Sequence, residues 1–163
     1  MPDLICDTSV LQYLHQLSLI HILPSLATTV TIPPAVVDEL DAGRNLAVNL
    51  PDPANLEWIT VQKPIGTVAL PLVNDLGPGE AEVLMLALEE PGAIAILDDA
   101  LARRVAETLR LQFTGTLGLL LDAKQANLIS AVRPYLDQLQ ALQFRLAAHT
   151  RSVILKMADE SNG

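Results

Sequence analysis

The sequence predicts an α/β fold around a mainly parallel sheet of roughly four to five strands, and three observations carry the prediction. Leu4-Ile5-Cys6 and Ala93-Ile94-Ala95-Ile96-Leu97 are apolar runs too short for helices and without polar alternation, as expected of strands buried on both faces. Such runs alternate with stretches of helical apolar spacing, which implies right-handed crossovers between parallel strands. Half of the residues (50%) are hydrophobic but only 3% are aromatic, so the core is Leu, Val, Ile and Ala, the usual content of helices packed on a parallel sheet.

The elements follow in order. Leu4 to Cys6 form the first strand, closed by Asp7-Thr8-Ser9. The apolar spacing Val10, Leu11, Leu14, Leu17 predicts a short helix, and Leu19, Ile20, Ile22, Leu23 a second before Leu26. Thr28-Thr29-Val30-Thr31-Ile32 is β-branched and reads as strand two, stopped by Pro33-Pro34. Pro34 suits the first turn of a helix through Val36, Val37 and Leu40 to about Gly43. Residues 44 to 56 are loop-like, with room for a helical turn over Leu46 to Leu50. Glu57 to Val61 predicts a third strand at the sheet edge. A loose stretch from Gln62 to Pro78 leads into a helix over Ala81 to Glu90 that is apolar on nearly every side, hence packed on more than one face. Ala93 to Leu97 is a buried strand closed by Asp98-Asp99, and Ala100 to Leu109 an amphipathic helix with Arg103, Arg104 and Glu107 outward. Leu111 to Thr114 gives a fifth strand, Leu119 to Asn127 a helix, and Ser130 to Ala158 two more.

Charge and composition narrow the function. A net charge of -9 gives no overall attraction for a phosphate backbone, but does not exclude a nucleic-acid enzyme whose carboxylates gather at one site to hold cations. No apolar run approaches the ~20 residues of a membrane span, and the first strand starts too close to Met1 for a signal peptide. Cys6 is the only cysteine, so a reducing, cytoplasmic compartment is expected.

The acids carry the chemistry. Asp7 and Asp98-Asp99 both follow an apolar strand and open a helix, and parallel strands bring both endings to the same edge, where ligands sit in open α/β sheets. Each also has a bland explanation as a helix cap. Glu39 lies beside the buried stripe of Val36, Val37 and Leu40, whereas Asp38 and Asp41 point away. Glu80 and Glu82 occupy the first turn after Gly77-Pro78-Gly79, where an acid also complements the helix's positive end. The helical wheel sets Met85 and Leu86 beside Glu82, and an acid among apolar groups is costly unless paired or bound to a cation. Clustered carboxylates repel, a divalent ion relieves the repulsion, and Mg²⁺ or Mn²⁺ prefers such hard oxygen ligands. Zinc is not indicated, because Cys6 and the scattered His15, His21 and His149 form no ligand-spaced cluster.

Asp7-Thr8-Ser9, Ile32-Pro33-Pro34-Ala35-Val36-Val37-Asp38-Glu39-Leu40, Leu76-Gly77-Pro78-Gly79-Glu80-Ala81-Glu82, Leu97-Asp98-Asp99-Ala100-Leu101-Ala102-Arg103 and Thr114-Gly115-Thr116-Leu117-Gly118, in this order and spacing, resemble the PIN-domain ribonucleases, most closely the compact prokaryotic toxin-type proteins. The resemblance implies a PIN-like three-layer α/β/α sandwich and a metal-dependent endoribonuclease acting on RNA, with an antitoxin protein as partner. It implies Asp7, Glu39, Glu82 and Asp99 as the catalytic acids, with Glu80 the alternative third. Asp7, Glu82, Asp98 and Asp99 would hold Mg²⁺ or Mn²⁺, and the hydroxyls of Thr8, Ser9 and Thr116 would position ligands or water. The chain departs from the commonest toxin pattern at the third site, where an Asp opening a helix is expected and Gly79-Glu80-Ala81-Glu82 stands instead. On this reading residues 1–128 are the PIN-like core, 129–158 a helical extension packed on the same domain, and 159–163 a flexible tail. Leu139, Leu142, Val153, Ile154 and Leu155 exceed what one small core needs, which points to a homodimer.

The rival reading is a catalytically weak PIN-like module that binds protein or nucleic acid. A receiver or phosphotransfer domain would want an Asp-x-Asp pair after strand one, and a serine hydrolase a Gly-x-Ser-x-Gly elbow; neither occurs.

Overall fold

The computed structural model describes residues 1–66 and 75–160. The strands are β1 (Asp3–Cys6), β2 (Thr29–Ile32), β3 (Ile59–Val61), β4 (Ile94–Ile96) and β5 (Gln112–Thr114). Among the described residues they form one sheet in the order β3-β2-β1-β4-β5, and every pairing is parallel. The helices are α1 (Thr8–Gln16), α2 (Leu23–Leu26), α3 (Pro34–Asn45), α4 (Pro78–Glu89), α5 (Ala100–Thr108), α6 (Thr116–Gln125), α7 (Arg133–Ala141) and α8 (Ala148–Met157), with single 3-10 turns at Ile20–Ile22 and Pro53–Asn55. The arrangement is the parallel sheet that the alternation predicts, in the α/β/α sandwich that the resemblance implies, with β3 at the edge. No helix among the described residues is long and apolar enough to cross a membrane.

The sheet order decides where a site can form. From β1 the chain moves outward through β2 and β3 on one side, then returns to lay β4 and β5 on the other, so the order reverses between β1 and β4. Ligands collect in the crevice at the carboxyl ends of strands beside such a reversal. Cys6 pairs with Ile96, and the next rung is the Asp7 amide donating to the Ile96 carbonyl at 3.1 Å. Asp7 therefore leaves the sheet beside Leu97 and Asp98. The Leu97 amide in turn donates to the Thr114 carbonyl at 2.8 Å, which brings the end of β5 to the same place.

Burial fixes these positions. Leu4, Ile5 and Cys6 of β1 are at most 2% exposed, and Ala95 and Ile96 of β4 fully buried, as the unbroken apolar runs require. Val10, Leu11 and Leu14 of α1 are buried, which sets the helix's rotation directly after Asp7. Each large aliphatic side chain removed from water contributes about 1.5–3 kcal/mol. Helix α4 buries Val83, Leu84, Leu86 and Ala87 around much of its circumference, as its all-round apolar sequence suggests.

Two differences from the sequence reading have local causes. Helix α3 runs through Gly43 to Asn45, because that glycine is used for space: a Cβ there would collide with the Leu50 side chain. The stretch after it holds a turn, with Ala47 at φ 65°, and no helix over Leu46 to Leu50. Of the loose stretch expected from Gln62 to Pro78, residues 67–74 lie outside the described residues; Ile65 and Gly66 before it donate their amides to the Glu89 carboxylate.

The chain divides into two compact units, Met1–Thr116 and Leu117–Gly163, earlier than the boundary after residue 128 read from the sequence. Within the second unit the Glu160 carboxylate accepts from Lys124 Nζ at 2.9 Å, the Val132 amide at 2.8 Å and the Arg133 amide at 3.1 Å. Asp159 and Glu160, placed by the sequence reading in a loose tail, thus belong to the folded chain, because Glu160 supplies the acceptors that the start of α7 lacks. The remainder of that tail, residues 161–163, lies outside the described residues.

Candidate functional site

Asp7 ends β1 and is the residue before α1, with extended backbone (φ -84°, ψ 165°) and 4% exposure. Its side chain makes no capping bond to α1, so the bland explanation of this acid does not apply. Burial pushes its carboxyl up to about 7; the Thr8 amide pulls the other way, and the negative fields of Glu80, Glu39 and Asp98 push it further up. No ion pair among the described residues involves any of these acids. A buried, uncompensated carboxyl at a strand end is what capping and solvation fail to explain.

Glu39 comes to the same place from α3. Proline at the start of α3 and the buried Ala35, Val36 and Leu40 rotate this helix so that Glu39 faces inward. Thr8 Oγ1 donates to Glu39 Oε1 at 2.5 Å, and the Gly79 amide donates to Glu39 Oε2 at 3.3 Å. Gly79 has no side chain where α3 and α4 approach. A Cβ there would overlap Glu39 Oε1 and lie 3.0 Å from Glu39 Cδ and 3.1 Å from Asp7 Oδ1.

Glu80, next along α4, reaches back toward the Gly77 amide at 3.4 Å. Burial raises its carboxyl, the charge of Asp99 adds to this, the Gly77 amide opposes it, and Glu39 adds again. Asp7, Thr8, Ser9, Gln12, Glu39, Gly77 and Glu80 line one open hollow of about 200 Å³.

Glu82 is not brought there. Residues two apart on a helix differ by roughly 200° of rotation, so Glu80 and Glu82 face opposite sides. Glu82 Oε1 accepts instead from the Ala35 amide at 3.1 Å and so satisfies the exposed start of α3. The apolar neighbours that drew attention to Glu82 on the wheel are real, but the group that compensates its carboxylate is a helix terminus.

The adjacent Asp98 and Asp99 divide the work in the same way. Asp99 caps α5, accepting from the Ala102 amide at 2.9 Å. Asp98 accepts from the Thr116 amide at 2.8 Å and from the Thr116 hydroxyl, itself fully buried, at 2.7 Å. Burial raises the Asp98 carboxyl, while the Thr116 amide and hydroxyl, the Arg103 charge and the Ser9 hydroxyl draw it back. Thr8, Ser9 and Thr116 thus each serve a carboxylate.

Asp7, Glu39 and Glu80 line the hollow and Asp98 acts on Asp7 from beside it, carboxylate oxygens only, a set suited to Mg²⁺ or Mn²⁺ and unsuited to a soft metal. They do not close on a point: among the described residues no three His, Cys, Asp or Glu side chains stand together as a finished ligand set. The fit rests on donor chemistry and on the uncompensated charge of Asp7. The sequence reading missed Gln12, one turn after Thr8 and hence on its face of α1, the amide of Gly79, and Arg103, which approaches Asp98 from α5. Only Gln12 had a readable signal, its four-residue spacing.

Residues 3–160 match the family described as PIN domain. No curated protein matches the chain.

Proposed function

The chain belongs to the PIN-domain family, a family that generally comprises nucleases using divalent metals, and we propose that it is a Mg²⁺- or Mn²⁺-dependent endoribonuclease with Asp7, Glu39, Glu80 and Asp98 as its acids. The observation that carries this reading is Asp7: buried, at the sheet's reversal point, without a capping bond, and pushed up to about 7. Asp7, Glu80 and Asp98 would hold the cation. Bound there, a divalent ion polarises a water and offsets the charge that develops on the phosphate. Thr8 fixes the rotamer of Glu39 through its hydroxyl, and Thr116 holds Asp98 through two bonds, so both acids are oriented before substrate arrives. Glu39 Oε2, which accepts only the longer bond from Gly79, would take a proton from the attacking water. Glu82 and Asp99 hold helix starts and stay out of the chemistry.

A labelled single-stranded RNA incubated with Mn²⁺, with and without EDTA, tests the activity. Glu80→Gln is expected to lower kcat roughly a hundredfold or more, as loss of one charge-stabilising group does. Glu82→Gln is expected to keep kcat and lose about 1 kcal/mol of stability from the weakened start of α3. The reverse pattern would move the third acid back to Glu82, and cleavage that survives EDTA would remove the metal.

The finer reading makes this nuclease the toxin of a toxin–antitoxin pair, supported by the compactness of the catalytic unit; a small adjacent reading frame whose product blocks cleavage is the corresponding test. Of the apolar residues that pointed to a homodimer, Leu139, Ile154 and Leu155 are buried within the chain; what still supports one is the exposed Val153 with Met157, one turn after it on α8. Sedimentation at micromolar concentration should then give twice the monomer mass, and Val153→Glu should return it to monomer. The capping bonds of Glu82 and Asp99 favour one alternative, a PIN-like binding module whose acids serve structure, and that account would be preferred if Mn²⁺ left both melting and RNA intact.

A further inference from the structure

Arg103 stands beside the acids and is unused by the account above. It lies on α5, one turn after the Asp99 cap, with its guanidinium carbon 5.2 Å from the centroid of the Phe113 ring on β5. A Cβ added to Gly115 would be 2.9 Å from Arg103 Nη1 and 2.6 Å from Asp98 Oδ1. The guanidinium and the carboxylate therefore close on the buried Gly115 from two sides, with no room between them for a side chain there. They nevertheless close no ion pair, and the guanidinium makes no hydrogen bond among the described residues. The Phe113 ring lies against the guanidinium as a cation–π partner, a contact that uses none of its N–H donors. A free guanidinium edge beside a carboxylate is a poor structural arrangement, because the direct pair would stabilise both. It suits a third group carrying oxygens, and the planar fork of donors matches a phosphate.

We infer that Arg103 binds an RNA phosphate next to Asp98, approaching from outside the crowded Gly115 corner, with the Phe113 ring beneath its guanidinium. The inference rests on the ribonuclease reading and deepens it by naming the residue that brings substrate to the acids. A chain with net charge -9 has no general attraction for RNA, so a local cation beside the carboxylates is what makes productive binding possible.

The test separates binding from turnover. Affinity for a fluorescein-labelled single-stranded RNA is measured by anisotropy with Ca²⁺ in place of Mn²⁺ across a salt series, and cleavage is measured with Mn²⁺. Arg103→Met, which keeps bulk over Phe113, is expected to weaken binding about tenfold and to reduce the slope of log affinity against log salt by about 0.7, the share of one phosphate contact on a single strand. Arg103→Lys keeps the charge and should restore the slope while recovering affinity only in part. Melting with EDTA should be the same for both variants as for the parent. If Arg103→Met binds RNA with the parent's affinity and slope while its kcat falls, Arg103 acts only through Asp98 and the inference is overturned. A parent that cleaves RNA while Arg103→Met both binds and cleaves like it overturns the inference alone; a parent that neither binds nor cleaves RNA overturns the ribonuclease reading with it.

Discussion

Asp7→Asn is expected to make the metal-free protein more stable above pH 7 and to abolish Mn²⁺-dependent RNA cleavage. The folded Asp7 carboxyl titrates at about 7, against 3.8 for the ordinary group. Between these values the folded state holds a proton that the unfolded state has released, so the parent loses stability as pH rises from about 4 and carries the full deficit above 7. At ~1.4 kcal/mol per pKa unit the deficit is at most about 4 kcal/mol, and relaxation around the charged group lowers it. Asparagine keeps the shape and carries no charge, so its variant should show none of this slope. In EDTA the two proteins should therefore melt together near pH 4 and diverge toward pH 8, the variant higher. Mn²⁺ should raise the melting temperature of the parent at pH 8 and leave the variant unmoved. An Asn variant that melts below the parent at pH 8 in EDTA would show that Asp7 is a structural acid after all.

Alanine at the two glycines of the site should produce opposite kinds of damage. At Gly115 the new Cβ would stand 2.9 Å from the Leu97 carbonyl and 2.6 Å from Asp98 Oδ1. The carbonyl belongs to the backbone of Leu97, whose amide is held by the Thr114 carbonyl, and cannot swing aside, so Gly115→Ala is expected to cost about 1–3 kcal/mol in denaturant unfolding, in the range of overpacked cores. At Gly79 the obstacle is the far end of the Glu39 side chain, which can move, but only by leaving Thr8 and the Gly79 amide. Gly79→Ala should accordingly keep most of its stability and lose roughly ten- to a hundredfold in kcat, as loss of a ligand-orienting contact does. Gly77→Ala, where the nearest group is Glu80 Oε2 at 4.0 Å, is the control and should cost under about 1 kcal/mol. A Gly79 variant that unfolds as readily as the Gly115 variant would contradict this division.

The strands and the edge that gathers the acids could be read from the chain because each depends on local pattern. An apolar run with an acid at its end states both a buried strand and its carboxyl terminus. Which acid of a neighbouring pair takes which role could not be read that way. Asp98 and Asp99 have nearly the same sequence surroundings, and the choice between them is made by Thr116, which arrives from beyond β5. Glu80 and Glu82 were ambiguous for a different reason. A wheel gives direction only when one face is polar, and α4 is buried around much of its circumference. Glu160 gave no signal, since its partners at Lys124, Val132 and Arg133 lie far back in the chain.

The rung from the Asp7 amide to the Ile96 carbonyl also sets an order of events during synthesis. The central strand is made first but waits, with one edge unpaired, until β4 emerges nearly ninety residues later, and Asp98 waits further for Thr116. Such long-range parallel pairing is slow and cooperative. A nascent chain therefore carries no finished acid cluster while its message is still being read through this region, and any product cut short before residue 116 lacks the donors that hold Asp98. The topology thereby delays assembly of the acid cluster until β4, β5 and Thr116 have all emerged.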